Sequence, residues 1–91
     1  EAAILWSVTQ LADQYIRADG DGWRLVRTDF PREYLRRLVL HMLMLAGSKP
    51  PRGESLDRAL QAAATGHQAS LGDWLLKGGA IWTLWPAPPR N

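Results

Sequence analysis

The side chains best suited to chemistry are the cations in the middle third of the chain, residues 23–52. This segment carries seven Lys and Arg residues against two carboxylates, a local excess of +5, whereas the whole chain carries +2. Attraction of a polyanion depends on nearby cations and not on the whole-chain sum, so such a cluster suits contacts with phosphate groups. The candidate phosphate-binding residues are Arg32, Arg36, Arg37, Lys49 and Arg52.

Arg32 and Arg36 stand one turn apart on a predicted helix and share a side, which would let them meet successive phosphates of an RNA backbone. Arg37 points about a third of a turn away, and it stands four residues after Glu33. A solvated helix face with a Glu33–Arg37 pair therefore competes with the interpretation as an RNA contact. Four tryptophans pose a similar choice between base stacking and burial in a core or interface: Trp23, Trp74, Trp82 and Trp85.

The remaining reactive side chains form no pattern typical of an enzyme. The chain lacks cysteine, which excludes a disulfide framework, a thiolate zinc site and a cysteine nucleophile. His41 and His67 fall on different predicted elements without a further ligand at metal-binding spacing, so we expect His41 in a core or interface and His67 in a loop. Gly78-Gly79 follows no phosphate-loop spacing, and the carboxylates are scattered. We expect no catalytic residue, metal or cofactor within these 91 residues.

The elements that would position these side chains predict an α+β fold with three helices and a small antiparallel sheet. Apolar residues recur at helical spacing in three stretches, and a Pro-rich linker separates the second stretch from the third. Asp29 is suited to cap the second helix, and Pro31 suits its first turn. The predicted single domain, 1–91, comprises a first helix at 1–18, a strand at 23–27, a central helix at 31–46, a short helix at 55–65, a hairpin at 71–85 and a tail at 86–91.

Two apolar runs near the end of the chain predict the hairpin. They are joined by Gly78-Gly79, and both residues of a type I′ turn must accept positive φ. With Lys77 opposite Ala80, both sides of the hairpin would be apolar. One side would carry Trp74, Leu76, Ile81 and Trp85, and the other Leu75, Trp82 and Leu84.

The predicted order of helix, strand, helix, helix, strand and strand is that of a winged helix. A DNA-binding module is therefore a second hypothesis beside the RNA contact. The third helix fits that role poorly, because only Arg58 and Gln61 could read base edges there. A third hypothesis is a protein interaction domain that docks its aromatic hairpin onto a partner.

A resemblance to a known family rests on short motifs in a fixed order. The run PREYLRRLVL at 31–40, Ala46-Gly47, Pro50-Pro51-Arg52 with Leu56 and Leu60, and LGDW at 71–74 together resemble the accessory domain of bacterial tRNA(Ile)-lysidine synthetases. The resemblance covers nearly the whole chain. Asp73 stands where that family usually has the second glycine of a Leu-Gly-Gly strand opening. The family's Ser-Gly-Gly ATP-pyrophosphatase loop is absent from these 91 residues.

The resemblance implies a substrate-binding domain that follows an ATP-pyrophosphatase domain, and a start at Glu1-Ala2-Ala3 agrees with a piece of a longer chain. Such an enzyme adenylates the wobble cytidine of a CAU-anticodon isoleucine tRNA, and lysine then displaces AMP to give lysidine. ATP and Mg would be bound by the upstream domain, and this part would not be active alone.

The same resemblance implies the partners and the location. tRNA and the upstream nucleotide-binding domain are the expected partners, and a homodimer through the apolar central helix or the hairpin is compatible with the pattern. The location implied is cytoplasmic. No apolar run in the sequence reaches the roughly 18 residues that a membrane span needs, so we expect no membrane partner.

Overall fold

Helices precede strands twice along the chain. The structure, a computed structural model, describes the backbone of residues 2–87 and the side chains of residues 8–87. The elements are α1 (Ala2–Tyr15), β1 (Ile16–Asp19), β2 (Gly22–Leu25), α2 (Arg32–Leu45), α3 (Gly53–Ala64), β3 (Gln68–Leu71), β4 (Trp74–Lys77) and β5 (Trp82–Pro86).

All five strands form one antiparallel sheet in the order β1-β2-β5-β4-β3. The last strand, β5, lies at the centre and pairs with β2 on one side and with β4 on the other. It therefore joins the hairpin that follows α1 to the hairpin that follows α3. The predicted α+β class is confirmed, but the sheet is larger than the predicted single strand and hairpin.

The first difference lies at the end of α1. The predicted helix ran to residue 18, whereas α1 ends at Tyr15 and the next four residues form β1. Gly20 has φ +60°, as the first central residue of a type II′ turn requires, and this turn folds β1 back onto β2. Ile16 is buried opposite Leu25, so the apolar residue that continued the helical pattern serves equally well in the strand.

The second difference lies in the predicted hairpin. β3 and β4 turn at Gly72 and Asp73, and Lys77 of β4 lies opposite Thr83 rather than Ala80. A Cβ on Gly78 would lie 2.0 Å from the carbonyl oxygen of Ala63, so Gly78 is needed for a close approach to α3 and not for a two-residue turn. The predicted pairing was therefore wrong by several residues.

The corrected register changes which side chains share a face. Leu76 lies opposite Leu84, and both are fully buried beside Trp82, which is 3% exposed. Leu75 lies opposite Trp85 on the other face. The sheet therefore has one apolar face toward the helices and one outer face, whereas the sequence predicted two equally apolar sides.

The central helices lie close to their predicted positions, and α2 and α3 stay within one or two residues of the predicted limits. The predicted cap is wrong, because α2 begins after Pro31 without a side-chain hydrogen bond at its cap. Asp29 instead accepts hydrogen bonds from Arg27.

One core fills the space between the helices and the inner face of the sheet. α1 contributes Val8 and Ala12, and the other elements supply the rest of the fully buried apolar set: Ile16, Leu25, Leu38, Val39, Met42, Leu43, Leu56, Ala59, Leu60, Ala63, Leu71, Leu76, Trp82 and Leu84. None of the helices in the described part of the chain is long and apolar enough to cross a membrane.

Candidate nucleic-acid interface

The five candidate phosphate contacts lie on the helical side of the molecule, which we call the helical surface: Arg32, Arg36, Arg37, Lys49 and Arg52. Three of them stand in the first turns of α2, and the other two lie in the loop that follows it. A rise of about 1.5 Å per residue places the last residue of α2, Leu45, about 20 Å from Arg32 and about 12 Å from Arg37 along the helix, so the two groups lie toward opposite ends of α2. The five cations therefore do not form one anion site.

Arg32 and Arg36 connect α2 to α3. Arg32 donates hydrogen bonds from Nη1 to Oε1 of Gln61 at 3.1 Å and from Nη2 to the carbonyl oxygen of Asp57 at 3.2 Å. Nε of Arg36 lies 4.0 Å from Oδ1 of Asp57. Both arginines share a side, as predicted, but their guanidinium groups are already engaged with the neighbouring helix.

Arg37 lies on another side of α2, toward α1. Its Nε donates a 3.0 Å hydrogen bond to Oε1 of Glu33. The pair that competed with the phosphate contact is therefore present, and an exposed i,i+4 pair of this kind contributes about 0.3–0.5 kcal/mol. Arg37 also lines a mostly apolar groove between α1 and α2 of about 290 Å³, together with Val8, Leu40 and His41.

Lys49 and Arg52 are exposed, and within residues 8–87 no hydrogen bond or ion pair engages either side chain. Lys49 lies at the edge of a cavity of about 470 Å³, whose wall includes Asp73 and the half-buried ring of Trp74. These two cations are the predicted contacts that are most accessible to an anion.

Arg27 belongs to the same basic segment but serves the fold. Its guanidinium lies 5.5 Å from the ring centre of Tyr15 and 5.2 Å from that of Phe30, and it donates hydrogen bonds to Asp29. The hydrogen bond to Asp29 raises the pKa of Arg27, and the same bond lowers the pKa of Asp29. Both groups therefore stay charged at neutral pH, and Arg27 holds the segment before α2 against α1.

Three further cations lie on the outer face of the sheet beside two apolar side chains. We call this face the sheet surface and define it by Arg17, Arg24, Lys77, Leu75 and Trp85. None of these side chains belongs to the core cluster. None of these three cations was among the predicted phosphate contacts. Arg17 fell within the predicted first helix, Arg24 within the predicted strand, and Lys77 was predicted to lie opposite Ala80. The available signal was strand alternation, since residues two apart along a strand point to the same face.

The structure separates the four tryptophans. Trp82 is buried, and Trp23 and Trp74 pack partly buried against the core. Trp85 remains 38% exposed on the outer face of the central strand. Packing against the core thus accounts wholly for Trp82 and partly for Trp23 and Trp74, and Trp85 is the most exposed of the four.

The histidines form no site. His41 is half-buried in the groove between α1 and α2, and Nδ1 of the exposed His67 lies 2.9 Å from Oγ1 of Thr65. Within the described residues, no group of three or more His, Cys, Asp or Glu could hold a metal ion.

These features define a small α+β domain whose reactive groups are mainly exposed cations. Over its whole length the chain is 37% identical to a tRNA(Ile)-lysidine synthase from Zymomonas mobilis, and it spans 28% of that protein, at the C-terminal end. The resemblance drawn from the short motifs is therefore confirmed. No protein-family model matches the chain. No solved structure matches it at a significant level.

Proposed function

We propose that the chain is a non-catalytic domain that holds tRNA for a tRNA(Ile)-lysidine synthase. The observation that carries the proposal is the 37% identity over the full chain to the C-terminal part of an enzyme with that name. In this proposal an upstream nucleotide-binding domain of the same chain, in the cytoplasm, binds ATP and Mg. It also supplies the groups that form lysidine at the wobble cytidine.

The distribution of cations supports a domain that positions tRNA through its phosphates rather than one that recognises its sequence. Lys49 and Arg52 are accessible beyond one end of α2. Arg32 and Arg36 lie toward the other end, about 20 Å and about 13 Å from Leu45 along the helix. A single phosphate cannot join the two groups, whereas an RNA backbone can pass both. Contacts with phosphates position a nucleic acid without reading its sequence, so discrimination of the anticodon does not have to occur on this surface.

DNA binding in the winged-helix manner is less well supported. The helix that would read bases is α3, and Gln61 on that helix already accepts a hydrogen bond from Arg32. The carbonyl oxygen of Asp57, on the same helix, accepts a second one. The five-stranded sheet also differs from the three strands that the winged-helix prediction assumed.

The test is a titration of a CAU-anticodon isoleucine tRNA transcript with the 91-residue chain at several salt concentrations. We expect the logarithm of the association constant to fall linearly with the logarithm of salt concentration. The double variant Lys49→Glu/Arg52→Glu should reduce the steepness by up to about 2, because each duplex phosphate contact contributes about 0.9. Arg58→Glu, on the exposed side of α3, is the matched control. A wild-type chain without affinity for the tRNA at low salt would contradict the proposal.

A second experiment tests the enzyme context. Joining the chain to the upstream sequence of its gene should give a protein that forms lysidine on the same transcript with ATP and lysine. The Lys49→Glu/Arg52→Glu variant should raise KM for tRNA and leave the KM for ATP unchanged. An upstream sequence without an ATP-pyrophosphatase loop would count against this assignment.

A further inference from the structure

A row of polar side chains crosses the sheet surface from one edge to the other. Residues paired across antiparallel strands point to the same face, and the pairing connects Arg17 to Arg24, Arg24 to Thr83, Thr83 to Lys77, and Lys77 to Gln68. Three of these five side chains are cations. Adjacent strands are about 4.8 Å apart, so about 10 Å separates Arg24 from Lys77.

A second row, two residues further along the strands, is apolar at its centre. Trp85 lies opposite Leu75, which in turn lies opposite Ser70. Rows two residues apart on one face are about 7 Å from each other. The indole of Trp85 and the side chain of Leu75 therefore lie beside the row of cations. Ile81, 41% exposed, lies in the same open depression of about 500 Å³.

Two glycines, Gly20 and Gly22, leave room for the Trp85 side chain. A Cβ on Gly22 would lie 2.1 Å from the carbonyl oxygen of Leu84, so β2 has no side chain next to the indole at that position. On Gly20, a Cβ would lie 3.3 Å from the six-membered ring of Trp85. The ring therefore rests on the β1–β2 turn and keeps its other part open to solvent.

The cations of this surface keep nitrogen atoms for an external acceptor. Nε of Arg24 is inaccessible and lies 3.5 Å from Oδ2 of Asp19 without forming a hydrogen bond. Within the described residues, no hydrogen bond engages the terminal nitrogens of Arg24 or Nζ of Lys77. Arg17 is exposed and uses Nη1 for two 3.2 Å hydrogen bonds, to the carbonyl oxygens of Asp13 and Ile16.

We infer that the sheet surface binds an unpaired stretch of RNA, with a base stacked on Trp85 and phosphates along the row of Arg17, Arg24 and Lys77. This inference rests on the proposed function, because it names the part of the domain that would contact tRNA. Stacking on an aromatic side chain requires an unpaired base, since the faces of paired bases are covered inside the duplex. Cations beside an exposed aromatic ring are the combination that such binding uses.

The charge of the sheet surface favours RNA over a second copy of this chain as its binding partner. Among the side chains of residues 8–87 that the register places on the sheet surface, Asp19 is the one carboxylate beside Arg17, Arg24 and Lys77. Two such surfaces placed face to face would bring like charges together, which disfavours association. A polyanion complements the same charges.

The experiment compares two fluorescent RNA probes, a 12-nucleotide oligouridine and the CAU-anticodon isoleucine tRNA transcript. Trp85→Ala should raise the Kd for oligouridine by about 5- to 100-fold at every salt concentration, because stacking does not release counterions. Trp85→Phe should retain most of the affinity. Lys77→Ala should instead reduce the steepness of the salt dependence by about 0.7, the contribution of one single-strand phosphate contact.

The matched controls are Met44→Ala, which removes an exposed apolar side chain from α2, and Arg58→Ala, which removes an exposed cation from α3. Neither should change the affinity for oligouridine. Circular dichroism of each variant shows whether the fold is retained. If Trp85→Ala unfolds the chain, two measurements against the wild type still decide the result: the affinity of Trp85→Phe for oligouridine and the salt dependence of binding by Lys77→Ala.

Four outcomes would overturn the inference. If the chain binds tRNA but not oligouridine, or if the Trp85 and Lys77 variants bind both probes like the wild type, the sheet surface is not the RNA site, although the proposed function stands. If the wild-type chain binds neither probe at low salt, the proposed function fails as well. A dimer in sedimentation that Trp85→Ala dissociates, with unchanged RNA affinity, would assign the surface to a second copy.

Discussion

The helical surface and the sheet surface both carry cations, but they differ in what those cations contact. On the helical surface, Arg32, Arg36 and Arg37 point at acceptors supplied by the chain itself. On the sheet surface, Arg24 lies 3.5 Å from Asp19 but forms no hydrogen bond with it, and Lys77 has no partner within the described residues. Both stand in a row beside an exposed indole. The number of cations in a segment therefore does not measure how many of them are available to bind phosphate. What matters is how many acceptors the fold brings to them.

The geometry of the two surfaces explains the difference. Neighbouring turns of a helix place residues four apart within reach, so Glu33 meets Arg37 without any help from tertiary structure. On a sheet, residues two apart share a face, and their nearest lateral neighbours come from other strands. The row on the sheet surface joins three cations to Thr83 and Gln68, and neither of those is a carboxylate.

The largest expected effect is a loss of folding stability, which would disrupt the helical surface and the sheet surface together. Trp82→Ala or Leu38→Ala should lower the free energy of unfolding by about 2–5 kcal/mol, because both side chains are buried and truncation leaves a cavity. Urea unfolding followed by circular dichroism measures this change. Met44→Ala, 63% exposed, is the control and should stay within about 0.5 kcal/mol of the wild type. A loss below 1 kcal/mol in Trp82→Ala would mean that the core is not built as described.

The next largest expected effect is a loss of stability that originates in the sheet, between β2 and β5. Gly22→Ala should destabilise the chain by about 1–3 kcal/mol, since its Cβ would collide with the carbonyl oxygen of Leu84 and separate β2 from β5. Hydrogen exchange should show faster opening of the amides in those two strands than in α3. Gly53→Ala, at the start of α3 with nothing within 4 Å, is the control. Equal stability of the two variants would contradict the close approach at Gly22.

A third prediction compares the cations of the helical surface with one another. Arg32→Glu/Arg36→Glu should weaken tRNA binding at low salt and leave the fold intact. The loss should be smaller than for Lys49→Glu/Arg52→Glu, because Arg32 already donates hydrogen bonds to α3 and Arg36 faces Asp57 at 4.0 Å. Anisotropy titrations of the tRNA transcript measure both variants. Unchanged affinity in the first variant would make both arginines ordinary surface groups.

The smallest expected effect comes from the ion pair between Glu33 and Arg37 on the helical surface. Glu33→Gln removes the ionic partner of Arg37 and should lower the free energy of unfolding by about 0.3–0.5 kcal/mol, with slightly tighter tRNA binding at low salt. Glu54→Gln is the control, because Glu54 also stands in the first turn of its helix. The two variants differ in the ion pair, so their difference reports its contribution. A larger stability loss in Glu54→Gln would contradict the assignment.

Much of the fold could be predicted from local patterns. The limits of α2 follow from apolar spacing and from Pro31. Proline is compatible with the start of a helix but not with its interior, so the helix does not extend N-terminal to this residue. The end of α1 could not be predicted, because Ile16 satisfies a helical stripe and a strand equally well. Gly78 was misassigned for a related reason. A glycine that tolerates a turn and a glycine that permits close packing look identical until Ala63 lies next to it.

The sequence by itself determined the α+β composition of the domain, the basic middle segment and the similarity to a lysidine synthase. Those properties reside in residue types and short spacings. Only the tertiary structure decided which cations are free, because the acceptors of Arg32 stand 25 and 29 residues away in the chain. It also decided that Trp85 faces outward, since strand register depends on contacts between distant segments and a shift of one residue turns every side chain to the opposite face.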